Sequence, residues 1–120
     1  MKLADLPALT IADLQTLLRR GEVSPTDVLK ALRARIEKVD PTLDAYLSLD
    51  FETAVKEAEK TDVNLPLGGV PIAIKDIINV AGQPCTCASK ILGNYRSPYD
   101  ATVIRNLRAA GAIPLGKTNM

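Results

Sequence analysis

The chain has 120 residues with 15 Lys and Arg against 14 Asp and Glu, which fits one small domain or part of a larger one and supplies no general field for nucleic acid or an anionic membrane. It contains no histidine, so Ser-His-Asp and Cys-His nucleophile systems, histidine zinc sites and imidazole bases are excluded from anything this chain builds alone. Cys85 and Cys87 are its only cysteines, too few for a Cys₄ zinc site and too close for an ordinary disulfide framework, so a reducing, cytosolic setting is expected.

At the N-terminus Asp5 and Pro7 interrupt the sequence before an apolar stretch of signal length forms, and no secretion signal is expected. Thr10 is a good N-cap, and Ile11, Leu14, Leu17 and Leu18 then repeat at helical spacing until Gly21, which predicts a short amphipathic helix. Ser24-Pro25 opens a second helix carrying Val28, Leu29, Leu32, Ile36 and Val39 on one face, with Asp40-Pro41 as its expected end. Ala45 to Leu49 reads as a brief strand, and Asp50 as the cap of a helix running to about Lys60.

At Asn64 the texture changes. Leu65 to Gly69 is a turn, and Val70-Pro-Ile-Ala-Ile74 has no polar alternation, the pattern of a buried strand in an α/β sheet. Lys75, Asp76 and Asn79 interrupt the run from Val70 to Ala81, which falls short of the roughly 18 apolar residues of a membrane span. Gly82 to Asn94 reads as loop; Asp100 or Thr102 starts a helix through Ala110, ended by Gly111, and Ala112 to Leu115 forms the next strand. This order predicts α/β architecture, with a mostly helical region over 1–62, including a helical hairpin, and the first part of an α/β core over 63–120. The chain stops at Met120, just past a predicted strand, where an α/β fold is expected to continue, so it reads as a truncated protein.

Three constellations could carry chemistry. Gly111 to Thr118 fits the phosphate-loop formula GxxxxGK[ST], but a helix precedes it where a strand is needed, and Pro114 has no N–H to offer a phosphate. Cys85-Thr86-Cys87 supplies at most half a zinc shell, and the plainer expectation is two small buried side chains. Lys75 directly follows the apolar run, at the strand end where α/β proteins commonly place ligand and catalytic groups. Desolvation there could lower its pKa enough to make it a base; a lysine paired with the adjacent Asp76 is the competing expectation.

The segments LGGVPIAIKD (Leu67 to Asp76) and GQPCTCASKIL (Gly82 to Leu92) resemble the start of the amidase signature family. The later SPYDATVI (Ser97 to Ile104) and GAIPLGKTNM (Gly111 to Met120) look most like the A subunits of bacterial glutamyl-tRNA(Gln) amidotransferases. The likeness reaches back to Ser24-Pro25 and so covers nearly the whole chain. It implies the N-terminal part of the amidase signature fold, a mixed sheet flanked by helices. It also implies that Lys75 is the catalytic lysine of a Ser-Ser-Lys arrangement, acting through a bridging serine on a serine nucleophile. Both family serines belong to a Gly/Ser-rich segment downstream of Met120, so this chain alone is expected to be inactive. Ser89 matches a position the family does not use as nucleophile, Lys117-Thr118 falls in a family segment unrelated to nucleotide binding, and Cys85 stands where relatives often have threonine.

For the parent protein the resemblance implies a glutaminase that passes ammonia from glutamine to partner B and C subunits, where Glu-tRNA(Gln) is amidated with ATP and magnesium. No cofactor or metal is expected in this chain. A general small-amide amidase fragment and a non-catalytic truncated product are the alternatives.

Overall fold

The computed structural model describes residues 2–120. A 3-10 segment, Leu3–Ala8, leads into α1 (Ile11–Arg19) and α2 (Pro25–Leu43), followed by β1 (Tyr46–Leu49), α3 (Phe51–Lys60), β2 (Pro71–Lys75), α4 (Thr102–Ala109) and β3 (Ile113–Thr118). The caps form as the sequence predicts. Thr10 accepts from the Asp13 N–H, Ser24 and Asp27 form a reciprocal capping box, and Asp50 accepts from the Thr53 N–H, each satisfying a helix-end donor that would otherwise lack a partner.

α2 runs past its predicted end, with Pro41 inside its last turn. Termination falls to Asp44, which is left-handed at φ 54° and donates its N–H to the Asp40 carbonyl, while the Asp40 carboxylate accepts from the Ala45 N–H. Proline removes one donor, but so near the end it interrupts little of the ladder. Thr102 rather than Asp100 begins α4; Asp100 instead accepts from the Ala81 N–H at 2.7 Å and pairs with Arg108.

The sheet has the order β1-β3-β2, with β3 antiparallel to β1 and parallel to β2. Helices cover both of its faces, the arrangement expected of an α/β fold. Ile113 and Leu115 pack with Leu29, Ala54 and Ala58 of α2 and α3, whereas Ile74 of β2 packs with Val80 and with Ile104 of α4. A third cluster, Leu6, Leu14, Leu18, Val28 and Ala31, joins the 3-10 segment to the α1/α2 hairpin. β1, though it lies in the mostly helical first 62 residues, is hydrogen-bonded into the same sheet. β2 is an edge strand and less buried than its apolar run predicts: Ile74 is buried, Ile72 half-buried, and Ala73 and Lys75 are exposed. The chain leaves 7171 Å² accessible, with Ile77, Ile91 and Tyr99 among its exposed apolar side chains, against about 6,000 Å² for an independent domain of this mass.

β3 extends three residues beyond its predicted end and is irregular. Ile72 pairs with Pro114 and Ala73 with Gly116, so Leu115 is an extra residue on β3. Such a bulge accommodates a proline in a central strand, because pairing is already interrupted there. It also reverses the alternation: Ile113 and Leu115 face α2 and α3, and Lys117 faces the other side. Gly116 is required at this point, since a Cβ there would lie 2.5 Å from the Ser48 carbonyl oxygen on β1. Gly116→Ala is expected to destabilise the fold by about 2–3 kcal/mol through displacement of β1, read as a lower urea midpoint in chemical unfolding.

Candidate active site

The C-terminal ends of the parallel strands β2 and β3 bring together Lys75, Asp76, Lys117 and Thr118, with Lys75 paired to Thr118 and Ile74 to Lys117. This is the position at which open α/β sheets commonly carry their chemistry. Lys75 closes β2 with its side chain exposed, alternating with the buried Ile74 and Asp76. The burial predicted for a lysine in this neighbourhood belongs instead to Lys117, which is 0% exposed.

The Lys117 ammonium donates to the Ile78 carbonyl at 2.6 Å and the Pro84 carbonyl at 3.0 Å, and lies 3.4 Å from Asp76 Oδ1. Asp76 is therefore the partner of Lys117, not of Lys75. Its other oxygen, Oδ2, accepts from the Thr86 N–H at 3.2 Å, the Ala88 N–H at 3.3 Å and the Thr86 hydroxyl. The Asp76 main chain is equally engaged: its N–H donates to the Thr118 carbonyl, and its carbonyl accepts from the Cys87 N–H and, at 3.6 Å, the Cys85 thiol. Burial alone would raise the Asp76 pKa, but the hydrogen bonds from Thr86 and Ala88 together with the Lys117 charge outweigh it and hold the carboxyl below its ordinary value.

These contacts fold the loop after β2. Cys87 and Ala88 adopt left-handed conformations at φ 52° and 55°, an uncommon state for residues with a Cβ, in the segment whose N–H groups turn onto Asp76. The expectation of two buried cysteines holds for Cys85 only; Cys87 is exposed, because its left-handed backbone turns the N–H inward to Asp76. Burial pushes the Cys85 thiol pKa up. Ser89 receives the Ile91 N–H on its hydroxyl at 3.2 Å. A cleft of about 350 Å³ adjoins the loop, lined by Ser48, Asp76, Thr86, Ser89 and Lys90 among others.

The phosphate-loop formula has no phosphate loop behind it. Gly116, Lys117 and Thr118 are strand residues, and the Lys117 ammonium is occupied by two carbonyls and a carboxylate. Sequence reasoning missed Lys117 and Thr86 as organising residues. The available signal for the first was a lysine ending an otherwise apolar run, Ala112 to Leu115, just after a glycine.

Residues 27–120 match the family described as Amidase. The chain belongs to the amidase family. Over its whole length it is 53% identical to the A subunit of the glutamyl-tRNA(Gln) amidotransferase of Methylacidiphilum infernorum (isolate V4), of which it covers 24%. The peptide amidase of Stenotrophomonas maltophilia superposes on 92% of the chain with a TM-score of 0.84 and 38% identity, the matched part being 24% of that enzyme. 6-Aminohexanoate cyclic dimer hydrolase covers 99% of the chain with a TM-score of 0.86 and 33% identity, again over 24% of its own length. The chain thus spans about a quarter of the length of the relatives it matches.

Because Asp76 has a folded-state pKa below its unfolded one, its contribution to stability is complete above the unfolded value of about 3.9 and is lost as pH falls through the folded value. The thermal midpoint is therefore expected to fall on acidification below about pH 4. Asp76→Asn removes that component, so the variant starts less stable at neutral pH and shows a shallower acid slope in unfolding scans at stepped pH.

Proposed function

We propose that the chain is the lysine-bearing N-terminal part of the glutaminase component of a glutamyl-tRNA(Gln) amidotransferase. The observation that carries this reading is the 53% identity to an amidotransferase A subunit along all 120 residues, with Lys75 in the Gly-Val-Pro-Ile-Ala-Ile-Lys-Asp segment at the end of a parallel strand. Lys75 would be the base. Taken in its neutral form, it receives the proton of a bridging serine as that serine takes the proton of the nucleophilic serine. The nucleophile's Oγ then bonds to the side-chain amide carbon of glutamine, with backbone N–H groups near it holding the oxyanion. Collapse breaks the C–N bond, the proton returns to the departing nitrogen to give ammonia, and water cleaves the acyl-enzyme to glutamate.

Both serines would come from the part of the protein downstream of Met120, and the 120 residues alone would lack activity. Ammonia would pass to a B subunit, where ATP and magnesium activate Glu-tRNA(Gln), with a small C subunit holding the pair. Lys117, the lysine of the phosphate-loop formula, is committed to protein groups, and the formula falls on a strand, which supports placing the ATP site on the partner.

Ammonia release from glutamine tests the proposal in this chain, in the polypeptide extended to the family's length, and in the extended protein with its partners. Activity is expected only in the extended forms, and Lys75→Ala is expected to lower kcat at least about 1,000-fold. Activity of the 120 residues alone, or survival of activity in Lys75→Ala, refutes the Ser-Ser-Lys assignment. Hydrolysis of small amides with no response to glutamine would place the protein with the general amidases instead.

A further inference from the structure

The geometry points to Lys117 as a positioning residue for the reaction, acting through Asp76 on Lys75; this rests on the assignment of Lys75 as the catalytic base. One ammonium ties three segments together: the residues directly after β2 through the Ile78 carbonyl, the following loop through the Pro84 carbonyl, and the end of β2 through Asp76. Asp76 in turn gathers Thr86, Cys87 and Ala88. Its side chain is thereby drawn to the interior, and strand alternation sends the neighbouring Lys75 to the opposite, exposed face. The Lys75 carbonyl is fixed as well, accepting from the Ile78 N–H at 3.0 Å within the turn that Lys117 closes.

Packing alone does not call for a charge here. Filling a buried volume needs no ion pair, which carries a desolvation cost; here the ammonium donates to two carbonyls and sits 3.4 Å from the Asp76 carboxylate. What the pair adds is direction: it fixes the plane of the peptide leaving Lys75 and hence where the Lys75 side chain starts. The bulge at Leu115 and the bare Cα of Gly116 aim Lys117 into this position.

The test uses the extended enzyme assembled with its partners, with kcat and KM for glutamine measured on the folded fraction, thermal midpoints, and hydrogen exchange at the Thr86, Cys87 and Ala88 amides. Lys117→Met is expected to lower kcat about 100-fold, the scale set by small misplacement of a catalytic group, with KM changed less than about threefold and those three amides deprotected. Lys117→Met/Asp76→Asn removes both charges but keeps an acceptor for the Thr86 and Ala88 N–H groups; it is expected to regain part of the thermal midpoint lost in Lys117→Met while keeping the kcat loss. Lys117→Gln keeps donors for the two carbonyls without the charge; it covers the case in which the apolar variants do not fold, and its kcat is expected to fall at least about tenfold. Recovery of kcat together with the midpoint in the double variant, or kcat within threefold of wild type in folded Lys117→Met or Lys117→Gln, overturns the inference. Wild-type kcat in Lys75→Ala overturns the assignment of Lys75, a distinguishable failure.

Discussion

Burial of the Lys117 ammonium is the constraint on which both strand ends depend, because a charge removed from water must be met by the protein at every donor. Here two main-chain carbonyls accept its hydrogen bonds and one carboxylate supplies the countercharge at 3.4 Å, all from residues 76 to 84. Loss of one member of such a pair leaves the other charge stranded and costs on the order of 3–5 kcal/mol. The segment that follows β2 has little regular structure to hold it. Its conformation comes instead from donors converging on Asp76, which compensate the left-handed backbone at Cys87 and Ala88.

The geometry of β3 makes this possible. A regular strand would send Ile113, Leu115 and Lys117 to one face, where Leu29, Ala54 and Ala58 of α2 and α3 form an apolar cluster. One inserted residue divides the strand into an apolar half facing those helices and a polar end facing the loop. Pro114 and Gly116, which argue against a long strand when read singly, both have a place in it: the bulge accommodates the proline, and the close approach of β1 requires the glycine.

The helical layer was legible because its determinants are local. Thr10, Ser24 and Asp50 each bond within three residues, and the apolar spacing of the helices reports directly on the faces they bury. The helices and strands over residues 46 to 75 followed from similar signals. The true extent of β3, the half-exposure of β2 and the identity of the buried lysine were not legible, because each is decided by a partner far away in sequence. Lys117 meets Ile78 and Pro84, 39 and 33 residues earlier. Lys75 and Lys117 also look alike in sequence, each ending an apolar run, and the bulge that distinguishes them leaves no periodicity to read. The motif resemblance is what singles out Lys75, whereas the contacts of Asp76 with Thr86 and Lys117 are visible only in the structure.

The central place of β3 in the sheet has a consequence for synthesis. β1 pairs with β3 from Tyr46 to Thr118, and β2 from Pro71 to Ile113, so both earlier strands leave the ribosome before their shared partner exists. The α1/α2 hairpin, whose cluster lies almost wholly within the first 32 residues, can collapse meanwhile. The sheet closes only when residues 113–118 emerge, over the long loops that make parallel pairing slow. Until then the unpaired edges of β1 and β2 are open to other chains, which makes the nascent chain most exposed to misassociation in the interval before residue 118 is released.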